Sequence, residues 1–102
     1  MRIIATKALR EWGEDYPDAR IALQVWQDIV EAATWTNLME VRRDLPSADG
    51  VVVDSGNVVT VFNIRGNHYR LLTAIHYNRQ IVFVMRFLTH AEYDRNRWME
   101  TL

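Results

Sequence analysis

The sequence predicts a single α+β domain, residues 1–102, in which a small antiparallel sheet packs on N-terminal helices. The first observation is the stretch from Val58 to Thr89, where three runs are rich in residues that suit a pleated surface. The second is a helical pattern of apolar residues from Ala19 to Ala33. The helical patterns precede the three runs, so an antiparallel meander backed by helices is the direct prediction.

The N-terminal segment predicts an edge strand followed by a helix. Met1–Ala5 is short and β-branched, and it can join the later sheet as a strand. Thr6 is predicted to cap a helix that ends near Tyr16, because the residue before a proline is disfavoured in the αR conformation.

A second helix follows, with Pro17 in its first turn. Its apolar stripe predicts packing against the sheet rather than a ligand role for Trp26. Asn37 and Glu40 resemble a capping box for a short helix through about Asp44. The valines 51–53 are either a strand or a loop anchored by apolar side chains. The predicted core comprises Trp12, Leu23 or Trp26, Ile29, Phe62, Ile64, Leu71, Ile75 and Val84.

Polar residues in the meander give the functional clue. A two-residue turn at Gly66-Asn67 places Arg65 opposite His68 and Asn63 opposite Arg70. Strand alternation then predicts one apolar face and one wet, cationic face. The residues predicted on the cationic face are Asn63, Arg65, His68, Arg70 and His76.

The loop between the second and third runs sets the register of the last strand. A three-residue loop at 78–80 pairs Tyr77 with Ile81 and Leu72 with Arg86, which places Arg86 and His90 on the cationic face. A two-residue loop turns Arg86 toward the core, where an unpaired guanidinium costs several kcal/mol. The longer loop is therefore predicted.

Composition is that of an ordinary globular domain, with 49% hydrophobic and 25% charged residues. There is no run of 18 apolar residues, no leader pattern and no cysteine, so a cytoplasmic protein is expected. The net charge is −1, but residues 1–50 hold six Lys/Arg against nine Asp/Glu, whereas residues 51–102 hold six Arg against four acids. A local field, rather than the net charge, is expected to steer a ligand.

Most catalytic motifs are missing from the chain. The histidines lack HExxH spacing, the serines lack an elbow motif, and no glycine-rich phosphate loop is present. Arg65, Arg70, Arg86 and His90 beside Tyr93 instead fit metal-free RNA cleavage, which needs an acid–base group and cations for the phosphate. The alternative is a sheet face on which the arginines only provide solubility.

The run VFNIRGNHYRLLTAIHYNRQIVFVMRFLTHAEYDRNRW resembles the C-terminal signature of HigB-type toxins, a branch of the RelE superfamily. IIATKALREWGEDYPDA, ALQVWQDIVEAATW and LPSAD also match the family pattern, so the resemblance covers essentially the whole chain. It implies a RelE-like fold and cleavage of messenger RNA in the ribosomal A site, with no metal and no cofactor. It also implies a HigA-type antitoxin with a helix-turn-helix domain. The toxin would contact DNA only indirectly, through this antitoxin, and it would have no membrane partner.

By position in the family pattern, Arg70 holds the phosphate and His90 occupies the catalytic position after the last strand. Arg86 and Tyr93 complete the implied catalytic set, and Tyr93 or Asp94 either assists proton transfer or caps and packs the last helix. The implied substrate-binding residues are Asn63, Arg65, Asn67 and His68.

One departure from the family keeps a second interpretation open. Such toxins are commonly strongly basic, whereas this chain has a pI near 6.3. Weak binding of free RNA, feeble catalysis or an acidic half that faces the antitoxin each fit that value. The alternative function is a non-catalytic RNA- or protein-binding module of the same fold.

Overall fold

A five-stranded sheet forms the body of the molecule, with the N-terminal helices on one face and the C-terminal segment over part of the other. The computed structural model describes residues 1–102. The strands are β1 (Arg2–Ile4), β2 (Asp49–Val52), β3 (Val58–Ile64), β4 (Tyr69–His76) and β5 (Ile81–Thr89). The helices are α1 (Thr6–Asp15), α2 (Arg20–Ala32), α3 (Leu38–Asp44), α4 (His90–Asp94) and α5 (Trp98–Thr101), with 3₁₀ turns at Pro17–Ala19 and Tyr77–Arg79.

The sheet has the order β1-β5-β4-β3-β2. The antiparallel meander of β3, β4 and β5 is confirmed, and the N-terminal segment is the predicted edge strand, parallel to β5. The valine run after Gly50 contributes to β2, which pairs antiparallel with β3 and forms the other edge. No helix is long and apolar enough to cross a bilayer.

The helices begin and end close to the predicted residues, with two corrections at their N-termini. Helix α1 ends at Asp15, before the Tyr16-Pro17 pair, but Thr6 is its first helical residue and supplies no side-chain cap. Asn37 caps α3 as predicted, because its Oδ1 accepts from the Glu40 amide at 3.0 Å. The Glu40 carboxylate does not complete a capping box; it accepts from the Thr36 hydroxyl and amide, which lower the pKa of Glu40.

The main core lies between the sheet and the helices α1 and α2. Every predicted core residue contributes to it, either buried or partly buried against it. At the end of the sheet that carries the β3–β4 turn, the core becomes aromatic. Tyr69 stacks on Phe87 with ring centroids 4.9 Å apart, and Tyr16 meets both rings edge-on. This cluster ties the end of α1 to that end of the sheet.

A β-bulge in β5 determines which of its side chains face the helices and which face outward. Leu72 pairs with Arg86 and Arg70 with Leu88, as predicted. The predicted pairing of Tyr77 with Ile81 is wrong, since His76 pairs with Ile81. The register shifts after Leu72 because Met85 is an extra residue on β5. The bulge keeps Arg86 on the outer face while allowing a longer turn, which Gln80 closes with φ +55°.

Solvent reaches only part of the outer face of the sheet, which corrects the prediction of a wet, cationic face. Val59, Val61 and Leu72 on that face are buried in a second apolar cluster. The C-terminal segment covers them, and its Trp98 is only 3% exposed. Polar groups therefore reach solvent at one end of the outer face and beside the C-terminal segment.

Candidate active site

The β3–β4 turn and the start of α4 meet at one end of the sheet. The His90 amide donates to the His68 carbonyl at 3.0 Å, and Thr89 pairs with Tyr69. Asn63 lies opposite Arg70 in the adjoining strand pair and is exposed. The fold thus brings together most of the sequence-predicted site residues: Asn63, Asn67, His68, Arg70, His90 and Tyr93.

Helix α4 fixes the position of His90. Thr89 and Glu92 form a complete capping box, with the Thr89 amide 3.0 Å from the Glu92 carboxylate and the Glu92 amide 3.2 Å from the Thr89 hydroxyl. Nδ1 of His90 lies 2.8 Å from the Asp94 carboxylate, one helical turn on, and a carboxylate this close favours a proton on that nitrogen. A neutral His90 then carries its proton on Nδ1 and presents Nε2 as an acceptor. The side chain is 46% exposed, which leaves the ring open to a ligand.

Arg70 is a charged side chain that is only 9% exposed. Its guanidinium donates to the carbonyls of Asn67 and Tyr69, at 3.3 and 3.1 Å, and to Oδ1 of Asn67 at 3.3 Å. Its Cζ lies 5.6 Å from the centre of the Tyr93 ring, a cation–π contact. No carboxylate lies within 4.0 Å of the guanidinium. The cation is held in place without a neutralising partner.

Tyr93 connects Arg70 with the C-terminal segment. Its ring stacks on Trp98 with centroids 5.1 Å apart, and Nε1 of Trp98 donates to the Tyr93 carbonyl at 3.0 Å. Burial raises the pKa of the Tyr93 hydroxyl, and Asp49 adds to the shift while Arg70 opposes it. Tyr93 is therefore a phenol at neutral pH, able to donate a proton but unsuited to act as a phenolate base.

Two residues expected on the cationic face do not join the site: Arg65 leaves that face, whereas His76 lies on it at the far end of β4. Arg65 has φ +53°, which turns its side chain toward the helical layer, where it pairs with Asp18 at 3.3 Å. The Tyr69 hydroxyl donates to the same carboxylate, and this hydrogen bond raises the pKa of Tyr69. His76 lies at the other end of β4, roughly 20 Å from Arg70 at ~3.3 Å per residue. His68 sits in the turn, where its Nδ1 donates to the Arg65 carbonyl at 2.9 Å.

Arg86 lies on the outer face but in a separate cleft of about 240 Å³ beside the C-terminal segment. Sequence reasoning missed Arg95 and Arg97, which line the same cleft, and Trp98, which forms one of its walls. The signal that was available is the apolar character of Val59, Val61 and Leu72 on the supposedly wet face, since such residues require a cover.

Charge is distributed unevenly around the molecule. The acidic residues of the first two helices are exposed on the layer behind the sheet, whereas Arg86, Arg95 and Arg97 line one cleft on the outer face. The mildly acidic pI therefore coexists with a positive region beside His90. No group of three or more His, Asp or Glu side chains is placed to hold a metal ion. A larger cleft of about 390 Å³ lies between α1 and α2 and contains no predicted site residue.

A basic site of this kind on an open α+β sheet suits a protein that acts on phosphate-containing ligands. The family model described as HigB toxin, the RelE-like toxic component of a toxin–antitoxin system, matches residues 19–96. The chain therefore belongs to the HigB toxin family. An mRNA interferase toxin HigB of Escherichia coli strain K12 is 26% identical over 94 residues, which cover 92% of this chain and 88% of the relative. Proteins named mRNA interferase HigB from Escherichia coli O157:H7 and Shigella flexneri match to the same extent.

Proposed function

We propose that this protein is a toxin that cleaves messenger RNA on the ribosome, without a metal ion, and thereby inhibits translation. Family membership and the mRNA interferase relatives support the endonuclease activity. The observation that carries the proposal is the arrangement of Arg70 and His90. The Arg70 guanidinium, which has no carboxylate partner, contacts the ring of Tyr93 on α4. His90 begins the same helix, and its exposed imidazole has Nδ1 beside the Asp94 carboxylate.

The reaction is an attack of the ribose 2′-oxygen on the adjacent phosphorus. Nε2 of His90 accepts the 2′-hydroxyl proton, since Asp94 holds the other ring nitrogen and stabilises the imidazolium that forms. The positive charge of the Arg70 guanidinium stabilises the charge that develops on the phosphate oxygens. The P–O5′ bond breaks, and the leaving oxygen takes a proton from the Tyr93 phenol. The products carry a 2′,3′-cyclic phosphate and a 5′-hydroxyl.

The remaining residues of the site position the RNA and Arg70. Asn67 orients Arg70 through both its carbonyl and its side chain. Asn63 and His68 lie beside Arg70, where they can contact the RNA strand. Arg65 has a structural role in this proposal, because its charge is directed to Asp18 in the helical layer.

The expected regulator is a HigA-type antitoxin with a helix-turn-helix domain, which alone contacts DNA. An acidic segment that covers the Arg70 and His90 region would exclude RNA at the same time. Complex formation should then weaken as the salt concentration rises, because salt screens contacts between charged surfaces. Both proteins are expected to act in the cytoplasm, where ribosomes translate the message.

The experiment is induced expression in a bacterial host, followed by primer extension on a reporter message and analysis of the fragment ends. Growth arrest and cuts with 5′-hydroxyl ends are expected, and a matched reporter without a start codon should remain intact. Cuts with 5′-phosphate ends would contradict attack by the 2′-oxygen. Cuts in the untranslated reporter would contradict ribosome dependence. Growth arrest without any cut message would favour the non-catalytic binding module.

A further inference from the structure

The cleft beside the C-terminal segment contains three arginines that the proposed reaction does not use. Arg86 comes from β5, while Arg95 and Arg97 belong to the three-residue link between α4 and α5. None of the three guanidinium groups makes a hydrogen bond or an ion pair. The one carboxylate in the cleft, that of Glu92, is bonded to the Thr89 amide. Three positive charges therefore face one engaged negative charge.

Local backbone geometry assembles this cluster. The bulge at Met85 keeps Arg86 on the outer face of β5. Asn96 has φ +61°, a left-handed conformation that reverses the chain between the other two arginines. Trp98, buried and bonded to the Tyr93 carbonyl, fixes the segment beyond that reversal. The three arginines thus converge on one concave surface, although two of them are only two residues apart in the chain.

The cleft adjoins the proposed active site. Leu88 lines the cleft and pairs with Arg70 across the sheet. Leu72, which pairs with Arg86, is two residues from Arg70, about 7 Å along β4. On the other side, Tyr93 contacts Arg70 and stacks on Trp98, which forms a wall of the cleft. An RNA strand lying over Arg70 would reach the cleft within a small number of nucleotides.

We propose that this arginine cleft binds a backbone phosphate of the RNA substrate other than the cleaved one. The inference rests on the proposed function and adds a second, non-reacting contact that sets the position of the strand. Guanidinium groups suit phosphate because their planar N–H pairs match two phosphate oxygens. The cleft volume of about 240 Å³ accommodates a phosphate and part of its sugar. The pairing of Leu88 with Arg70 places the cleft on the path of an RNA strand that lies over Arg70.

The test uses the double variant Arg95→Gln/Arg97→Gln, in which both replaced side chains are exposed and folding should be retained. The matched control is Arg43→Gln/Arg79→Gln, which removes the same charge from exposed positions outside the cleft. The probe is a short single-stranded RNA with every 2′-hydroxyl methylated, so that it cannot be cleaved. Binding is measured by fluorescence anisotropy over a series of salt concentrations, with a melting curve for each protein.

The cleft variant should bind more weakly than the control, and its slope of log K against log salt should be shallower by about 0.7 for each phosphate that it no longer binds. Equal slopes for the two variants would overturn the proposal, as would a wild-type protein that does not bind the probe at low salt. Inorganic phosphate should compete only weakly with the RNA probe, because a free ion makes none of the contacts along the rest of the strand. Loss of polyglutamate binding with unchanged RNA binding would assign the cleft to an acidic protein segment instead. Because the probe cannot be cleaved, a failure of the catalytic proposal would leave this result unaffected.

Discussion

Replacement of Asp94 with Asn separates a role in cleavage from a role in folding. The contact with His90 is 2.8 Å long, but the two side chains are 46% and 59% exposed. An exposed ion pair of this kind contributes about 0.2–1 kcal/mol to stability. In a domain of this size, the melting temperature should fall by less than about 8 °C. The fold should therefore survive the change.

Cleavage should respond much more strongly than stability. The side-chain amide that replaces the carboxylate can donate to Nδ1 of His90, which favours the tautomer whose proton lies on Nε2, the wrong nitrogen for a base. The negative charge that stabilises the imidazolium is also removed. We expect a decrease on the order of 10–10²-fold. This is less than the roughly 10⁴-fold loss for the buried aspartate of a serine-protease triad, because Asp94 is 59% exposed.

The assay is primer extension on a translated message, with a melting curve for each variant. The control is Asp28→Asn, which alters an exposed carboxylate on α2 that accepts from Gln24 at 2.9 Å, one turn away. Wild-type and control proteins should cleave equally. If the Asp94 variant cleaves as well as the control, the carboxylate does not orient His90 for catalysis.

The other predictions concern the outer apolar cluster, the role of Arg70 in cleavage and the pH dependence of stability. Trp98→Ala should destabilise the protein by about 3–5 kcal/mol, since it opens the buried outer cluster, and denaturant unfolding measures the loss; an unchanged midpoint would show that the C-terminal segment does not cover the sheet. Arg70→Ala should abolish most cleavage through loss of charge stabilisation, whereas Arg70→Lys should retain part of it; primer extension distinguishes the two, and full activity of the Ala variant would exclude the role. The raised pKa of Tyr69 predicts stability that is fully present below pH 10.0, the ordinary value, and lost as the pH rises through the raised value. Alkaline unfolding of Tyr69→Phe should therefore be less steep than that of the wild type, and identical pH profiles would contradict this.

The sequence was informative about strands because their signals are local. Alternation and turn residues predicted the meander, and the cost of burying Arg86 predicted the outward placement that the structure confirms. The bulge at Met85 was not predictable from those signals, since two registers of the last strand differ by a single residue. Because of the bulge, Leu72 pairs with Arg86 as the three-residue loop predicts, whereas His76 pairs with Ile81, one residue out of that register. A choice between two loop lengths could not predict both pairings.

The cover over the outer face was also missed, for a different reason. Helix α5 has only four residues, too short to show a periodic pattern. The side chain of Arg65 was misplaced because alternation assumes extended backbone, and its φ of +53° departs from that assumption. Both errors arise where tertiary contacts, those of Trp98 and Asp18, select a local conformation that the neighbouring residues alone do not specify.

Cleavage of a translated message by the wild type and by His90→Ala tests the proposed mechanism most directly. The His90 side chain is exposed and lies outside both apolar clusters, so its loss should leave the melting temperature nearly unchanged. Loss of the acid–base group should lower cleavage on the order of 10²–10⁴-fold. Primer extension and melting curves on the same preparations give both quantities. A His90→Ala protein that cleaves and arrests growth like the wild type would remove histidine from the mechanism and leave Tyr93 and the arginines to perform it.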